Sequence, residues 1–125
     1  MRDDILATLA GLPVVGAFIY GSVARGTATA ESDIDLFVLL DAELPPARTA
    51  ALRAAFVDLQ QRLGYRPDTD YPVEMFTLDQ VRTALTAVEP DEDRREIRQA
   101  LRDRKIVLVG SARLEELITM ADAAP

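Results

Sequence analysis

The sequence predicts an α/β fold in which helices cover a sheet of about four strands. Three observations predict it. Short apolar, partly β-branched runs alternate along the chain with longer stretches whose apolar residues recur at helical spacing. Glycine, proline or a capping residue marks nearly every change between the two. The 125 residues, 49% apolar and 28% charged, are enough to bury a core without disulfides, and a single domain over 1–125 is expected.

Asp3 or Asp4 is expected to cap a short helix with Ile5, Leu6 and Leu9 on one face, ended by Gly11 and Pro13. Val14 to Tyr20 reads as a buried strand that delivers its end to Gly21-Ser22. The loop 22–32 is made of small residues with Arg25 and Glu31, and a second strand is predicted over 33–40, acidic at its start and apolar afterwards. Pro45-Pro46 breaks the chain before a helix over 47–63, whose Leu52, Ala55, Phe56, Leu59 and Leu63 lie on one side and whose stop is Gly64. A turn-rich connection leads to a third strand over 71–76, with Pro72 confined to its beginning or to an edge.

Thr77, followed three residues later by Gln80, is a capping-box signal for a helix over 78–87, and Glu89-Pro90 punctuates. The charged segment 91–104 carries Ile97 and Leu101 four apart, which predicts a surface helix with a narrow apolar stripe. A fourth strand is expected at Ile106 to Val109, then a turn at Gly110 and a last helix capped by Ser111 and running to about Met120.

The chain has no cysteine and no histidine, so thiolate and imidazole metal sites are excluded and any metal must sit on oxygen, as magnesium, manganese or calcium do. A net charge of −7 opposes a binding mode that neutralises many phosphates, so a long nucleic acid is not expected as substrate; a single nucleotide with a metal ion is compatible. The acidic N-terminus lacks the long apolar run of a signal peptide and no stretch reaches the length of a membrane span, which makes the cytoplasm the expected compartment.

The chemically informative feature is Gly21-Ser22, then ten residues, then Asp33-Ile34-Asp35, bracketed by two apolar strands. Residues i and i+2 of a strand point to the same face, so the two carboxylates are expected to leave together, with roots roughly 7 Å apart. Two like charges opening an apolar strand repel each other and resist burial, and divalent cations turn that repulsion into attraction. Glycine lets backbone approach a phosphate and serine adds a hydroxyl donor, so Gly21 and Ser22 are candidates to hold the outer phosphates of a triphosphate. Arg25 reads either as positive charge for a leaving pyrophosphate or as a solvated loop arginine. The second Gly-Ser pair, Gly110-Ser111, has no paired aspartates after it and reads as a helix cap.

Gly21-Ser22-Val23-Ala24-Arg25-Gly26 and Ser32-Asp33-Ile34-Asp35-Leu36 resemble the signature of the minimal nucleotidyltransferases (MNT proteins), within the superfamily that includes DNA polymerase β. The motif covers residues 20–40, and the order of elements resembles that family over most of the chain. The resemblance implies a mixed sheet flanked by helices, Asp33 and Asp35 as ligands of Mg2+ (two ions), and Gly21 and Ser22 as the grip on ATP. It also implies a third carboxylate on a neighbouring strand. Glu74 is the candidate, although an aspartate is more usual there, and Asp68 or Asp70 are alternatives.

The implied reaction moves a nucleoside monophosphate, AMP from ATP, to a hydroxyl. Larger relatives bring extra domains for the acceptor and this chain has no room for one, so a protein acceptor is expected. Members of the minimal family resemble antitoxins paired with a helical HEPN-type toxin, which makes such a protein the expected partner. Two alternatives stand beside this: a catalytically degenerate module that sequesters a partner, and a small-molecule adenylyltransferase of the aminoglycoside type, whose cationic acceptor the acidic surface would suit.

Overall fold

The computed structural model describes residues 1–89 and 91–123. Among the described residues six helices and four strands follow one another as α1 (Arg2–Leu9), β1 (Val14–Tyr20), α2 (Gly21–Arg25), β2 (Asp35–Leu40), α3 (Pro46–Arg62), β3 (Glu74–Thr77), α4 (Leu78–Thr86), α5 (Glu92–Arg102), β4 (Ile106–Val109) and α6 (Ala112–Ala123). The strands form one sheet in the order β3-β2-β1-β4, with β1 antiparallel to β2 and β4, and β2 parallel to β3. The sheet is therefore mixed, and the parallel step is made by the α3 crossover.

Alternation along β2 divides the interior into two cores. Leu36, Val38 and Leu40 turn to one face and pack with Ile5 and Leu9 of α1 and Leu52, Phe56 and Leu59 of α3. Phe37 and Leu39 turn to the other, against α4, α5 and α6. On that second face Phe18, Phe37 and Phe76 form an aromatic row across three strands, with ring centroids 4.8 Å and 5.6 Å apart. Burial on both faces explains why β2 reads as a continuous apolar run.

Several boundaries differ from the sequence expectation, each for a local reason. Helix α1 starts at Arg2 with no side-chain cap; Asp3 and Asp4 instead occupy its first turn, where negative charge suits the helix dipole. The loop expected after Gly21 begins with a short helix, closed by Gly26 in the left-handed region (φ 77). Ala55 of α3 and Leu63, which follows the helix as its C-cap, are exposed, so the buried stripe is narrower than expected. Strand β3 starts only at Glu74, since Pro72 has no amide to donate. The capping box at Thr77 and Gln80 forms as predicted, and Asp91 caps α5. The Ser111 hydroxyl accepts the Leu114 amide hydrogen bond at 3.1 Å and donates to the Val15 carbonyl, tying α6 to β1. Pro90 of the expected Glu89-Pro90 break lies outside the described residues. Among the described residues no helix is long and apolar enough to cross a membrane.

Candidate active site

The end of the sheet where β1 finishes and β2 begins collects the acidic residues. Tyr20, the last residue of β1, is paired in register with Asp35, the first of β2. The chain then turns sharply into α2 at Gly21, whose φ of 71 suits glycine, and a Cβ there would stand 2.0 Å from the Asp35 carboxylate oxygen Oδ2. The Gly21 backbone is thus seated against the Asp35 side chain, and no other residue type fits without moving it.

Asp33 precedes β2 instead of belonging to it. Ile34 is 1% exposed and packs with Leu36 in the α1/α3 core, which leaves Asp35 on the opposite, α5-facing side, while Asp33, just outside the strand, lies close enough for its charge to act on both Asp35 and Tyr20. The electrostatics agree. The Asp35 carboxyl is pushed up to about 6, first by burial and then by the charge of Asp33, with Arg25 opposing. Burial and the charges of Asp35, Glu74 and Asp33 hold the Tyr20 phenol well above the usual tyrosine range, so it stays a proton donor at neutral pH.

Glu74 opens β3 opposite Phe37, so it faces the same side as Asp35 but sits one pleat further along the sheet. Its carboxyl is raised by burial and by Glu96 and Asp93, with Arg53 opposing. Asp68 is committed to a turn, accepting the Asp70 and Tyr71 amides at 2.9 and 3.1 Å, and both Asp68 and Asp70 are exposed. Arg25 is paired across the site with Asp103 at the end of α5, Nη1 to Oδ2 2.8 Å, while its charge also reaches Asp35. Ser22 lies in the first turn of α2, where its carbonyl accepts the Thr27 amide at 2.9 Å.

Asp33, Asp35, Tyr71 and Glu74 border a shallow depression of about 20 Å³. Beside it, between the sheet and α5, opens a cleft of about 290 Å³ lined by Tyr20, Phe37, Glu74, Phe76, Glu96 and Asp103 among others. Tyr20 and Glu74 border both. Among the described residues no group of three His, Cys, Asp or Glu side chains stands ready to hold a metal ion. The donors at this end are nonetheless all oxygens, and the mutual repulsion of Asp33 and Asp35 is what a hard divalent cation relieves. Magnesium in nucleotide sites takes one or two carboxylates and completes its shell with water and phosphate, so the pair fits it.

Sequence reasoning missed Tyr20, Gln60 and Asp103. The Gln60 side chain is fully buried, and its Oε1 accepts the Ile34 amide at 2.7 Å. Tyr20 could have been found from its place next to Gly21 at the end of β1. Gln60 and Asp103 carry no local signal, because their partners lie 26 and 78 residues away.

The family described as a nucleotidyltransferase domain matches residues 3–85. No curated protein matches the chain. Among solved structures, a toxin–antitoxin complex with AMP-PNP has a chain 19% identical, with a TM-score of 0.61 over 98% of this chain and 84% of that one. A mutant of the toxin–antitoxin MntA-HpeT gives 17% identity and a TM-score of 0.61 over 98% of this chain and 85% of that one. At these identities the likeness concerns the fold.

Proposed function

Because the chain belongs to the nucleotidyltransferase domain family, we propose that it transfers AMP from ATP to a hydroxyl of a partner protein in the cytoplasm, with release of pyrophosphate. The observation that carries the reading is that Asp33 and Asp35 border one depression at the β2 entrance, close enough for the charge of one to raise the other, with the Gly21 turn seated against Asp35. Divalent cations, Mg2+ and two in number, would be held by Asp33 and Asp35 with help from Glu74, and when bound supply positive charge to the attacking and leaving oxygens.

The protein's own groups have separable tasks. Gly21 and Ser22 hold the outer phosphates where backbone can come close, and Arg25 faces the pyrophosphate. The acceptor oxygen bonds to the α-phosphorus as the bond from that phosphorus to the pyrophosphate oxygen breaks, and the electron pair leaves with pyrophosphate. Glu74, whose raised affinity for protons suits a base, receives the hydroxyl proton. The cleft along α5, which begins at Glu74, takes the acceptor side chain. The toxin–antitoxin structures that share the fold, one of them with AMP-PNP, support ATP as donor and a toxin protein as partner; that this toxin is a helical HEPN-type protein follows from the family resemblance of the sequence alone.

A second reading, a module that binds its partner without turnover, is favoured by the lack, among the described residues, of three carboxylates grouped to hold a metal ion. Isothermal titration separates the two. An active domain gives heat with ATP only when Mg2+ is present and loses it in Asp35→Asn; no metal-dependent heat in the wild type overturns the transferase. Mass spectrometry of a copurifying helical protein after incubation with ATP and Mg2+ should find added AMP on a hydroxyl side chain.

A further inference from the structure

The structure assigns Gln60 as the residue that positions the aspartate pair, an inference that rests on the nucleotidyl-transfer reading above. Pairing of β2 with β1 ends at Tyr20 and Asp35, and pairing with β3 begins only at Phe37 and Glu74. The peptide joining Asp33 to Asp35 therefore has no strand on either side, yet Ile34 is buried in the α1/α3 core. A buried amide must find an acceptor, and Gln60, from the last turn of α3, supplies it through Oε1 at 2.7 Å. The carbonyl of Ser32 is held in turn by the Arg66 amide at 3.0 Å, so the segment is tethered on both sides of Asp33.

The other end of the same side chain shows what this arrangement gives up. Gln60 is the one buried polar side chain among the described residues, and its Nε2 has no hydrogen-bond partner there. An unsatisfied buried amide destabilises the fold, and a glutamine in the middle of an apolar core is a poor choice for packing alone. What the glutamine provides is a fixed peptide between two carboxylates that repel each other. Held there, the pair keeps the angle needed to share a cation; released, it spreads. Groups that orient metal ligands from behind typically change metal affinity by about 10- to 100-fold when removed.

The test is Mn2+ binding with AMP-PNP present, followed by electron paramagnetic resonance, in the wild type and in Gln60→Met, a substitution of similar length without the acceptor. Far-UV circular dichroism confirms that the variant is folded. A folded Gln60→Met is expected to bind Mn2+ about 10- to 100-fold more weakly, with a broadened spectrum. If it does not fold, Gln60→Asn, whose oxygen stops one methylene short of the Ile34 amide, takes its place with the same expectation. Wild-type affinity in a folded variant, even with a lowered Tm, means a purely structural glutamine and overturns the inference. No Mn2+ binding by the wild type overturns the nucleotidyl-transfer reading itself, a separate outcome.

Discussion

Asp35 is where charge, burial and backbone meet. Its carboxyl takes up a proton near pH 6 in the fold, against 3.8 for the ordinary side chain, so the folded chain binds that proton more tightly than the unfolded one. The stability this contributes is complete below about pH 4 and disappears as pH rises through about 6. Without metal, Asp35→Asn should therefore stabilise the protein at pH 8 by on the order of 1 kcal/mol, a figure reduced for the solvent that screens a half-exposed carboxylate. Thermal melts should show the gap between variant and wild type closing below pH 4; a constant gap would place its origin elsewhere. At this scale the Gly21 turn beside Asp35 was legible because a glycine stands at the end of one strand and an aspartate at the start of the next, whereas Asp33 precedes β2 and strand alternation does not place it. Arg25 was legible only as a choice between two roles, since the partner that orients it, Asp103, lies 78 residues later, just past the end of α5.

At the level of elements, periodicity identified the type of each segment better than its limits. β1 and β4 run where the apolar runs begin and end, and the Thr77–Gln80 capping box fixed the start of α4. β2 begins two residues later than the pattern suggests, at Asp35, because β1 has already turned away into α2 and offers Asp33 and Ile34 no partner. No single-strand pattern reveals where its neighbour stops. Helix α5 depends on a contact of the same unreadable kind: the Arg98 guanidinium donates to the carbonyls of Ala84, Leu85 and Ala87 at 3.0, 3.2 and 2.8 Å, tying α5 to the open end of α4. Arg98→Met should lower stability by about 2 kcal/mol in urea unfolding, the range of hydrogen bonds from a charged donor. Lysine should recover little of it, lacking the planar fork. Metal-dependent ATP binding should survive both changes, because none of these groups faces the aspartates.

Across the molecule, the shared family segment ends within α4, at residue 85, while α5 forms one wall of the cleft and Asp103, just after it, pairs with Arg25. The net charge of −7 bears on the donor. ATP brings further negative charge to an acidic site, so binding should need the cation: at about 100 times Kd, ATP with Mg2+ should stabilise the fold by about 2.7 kcal/mol. Calorimetry should then show a Tm raised by several degrees, whereas ATP with a chelator, or duplex DNA, should leave it unmoved.

The two outer strands, β3 and β4, are four residues each. Pro72 precedes the first, Arg104 and Lys105 precede the second, and the Arg2 guanidinium donates to the Val107 and Leu108 carbonyls at 3.4 and 3.3 Å. Short, charged and partly occupied borders of this kind do not template further strands, so the sheet is protected against aggregation along its own edges. A protein that docks here must recognise side chains, because there is little free backbone for it to zip onto.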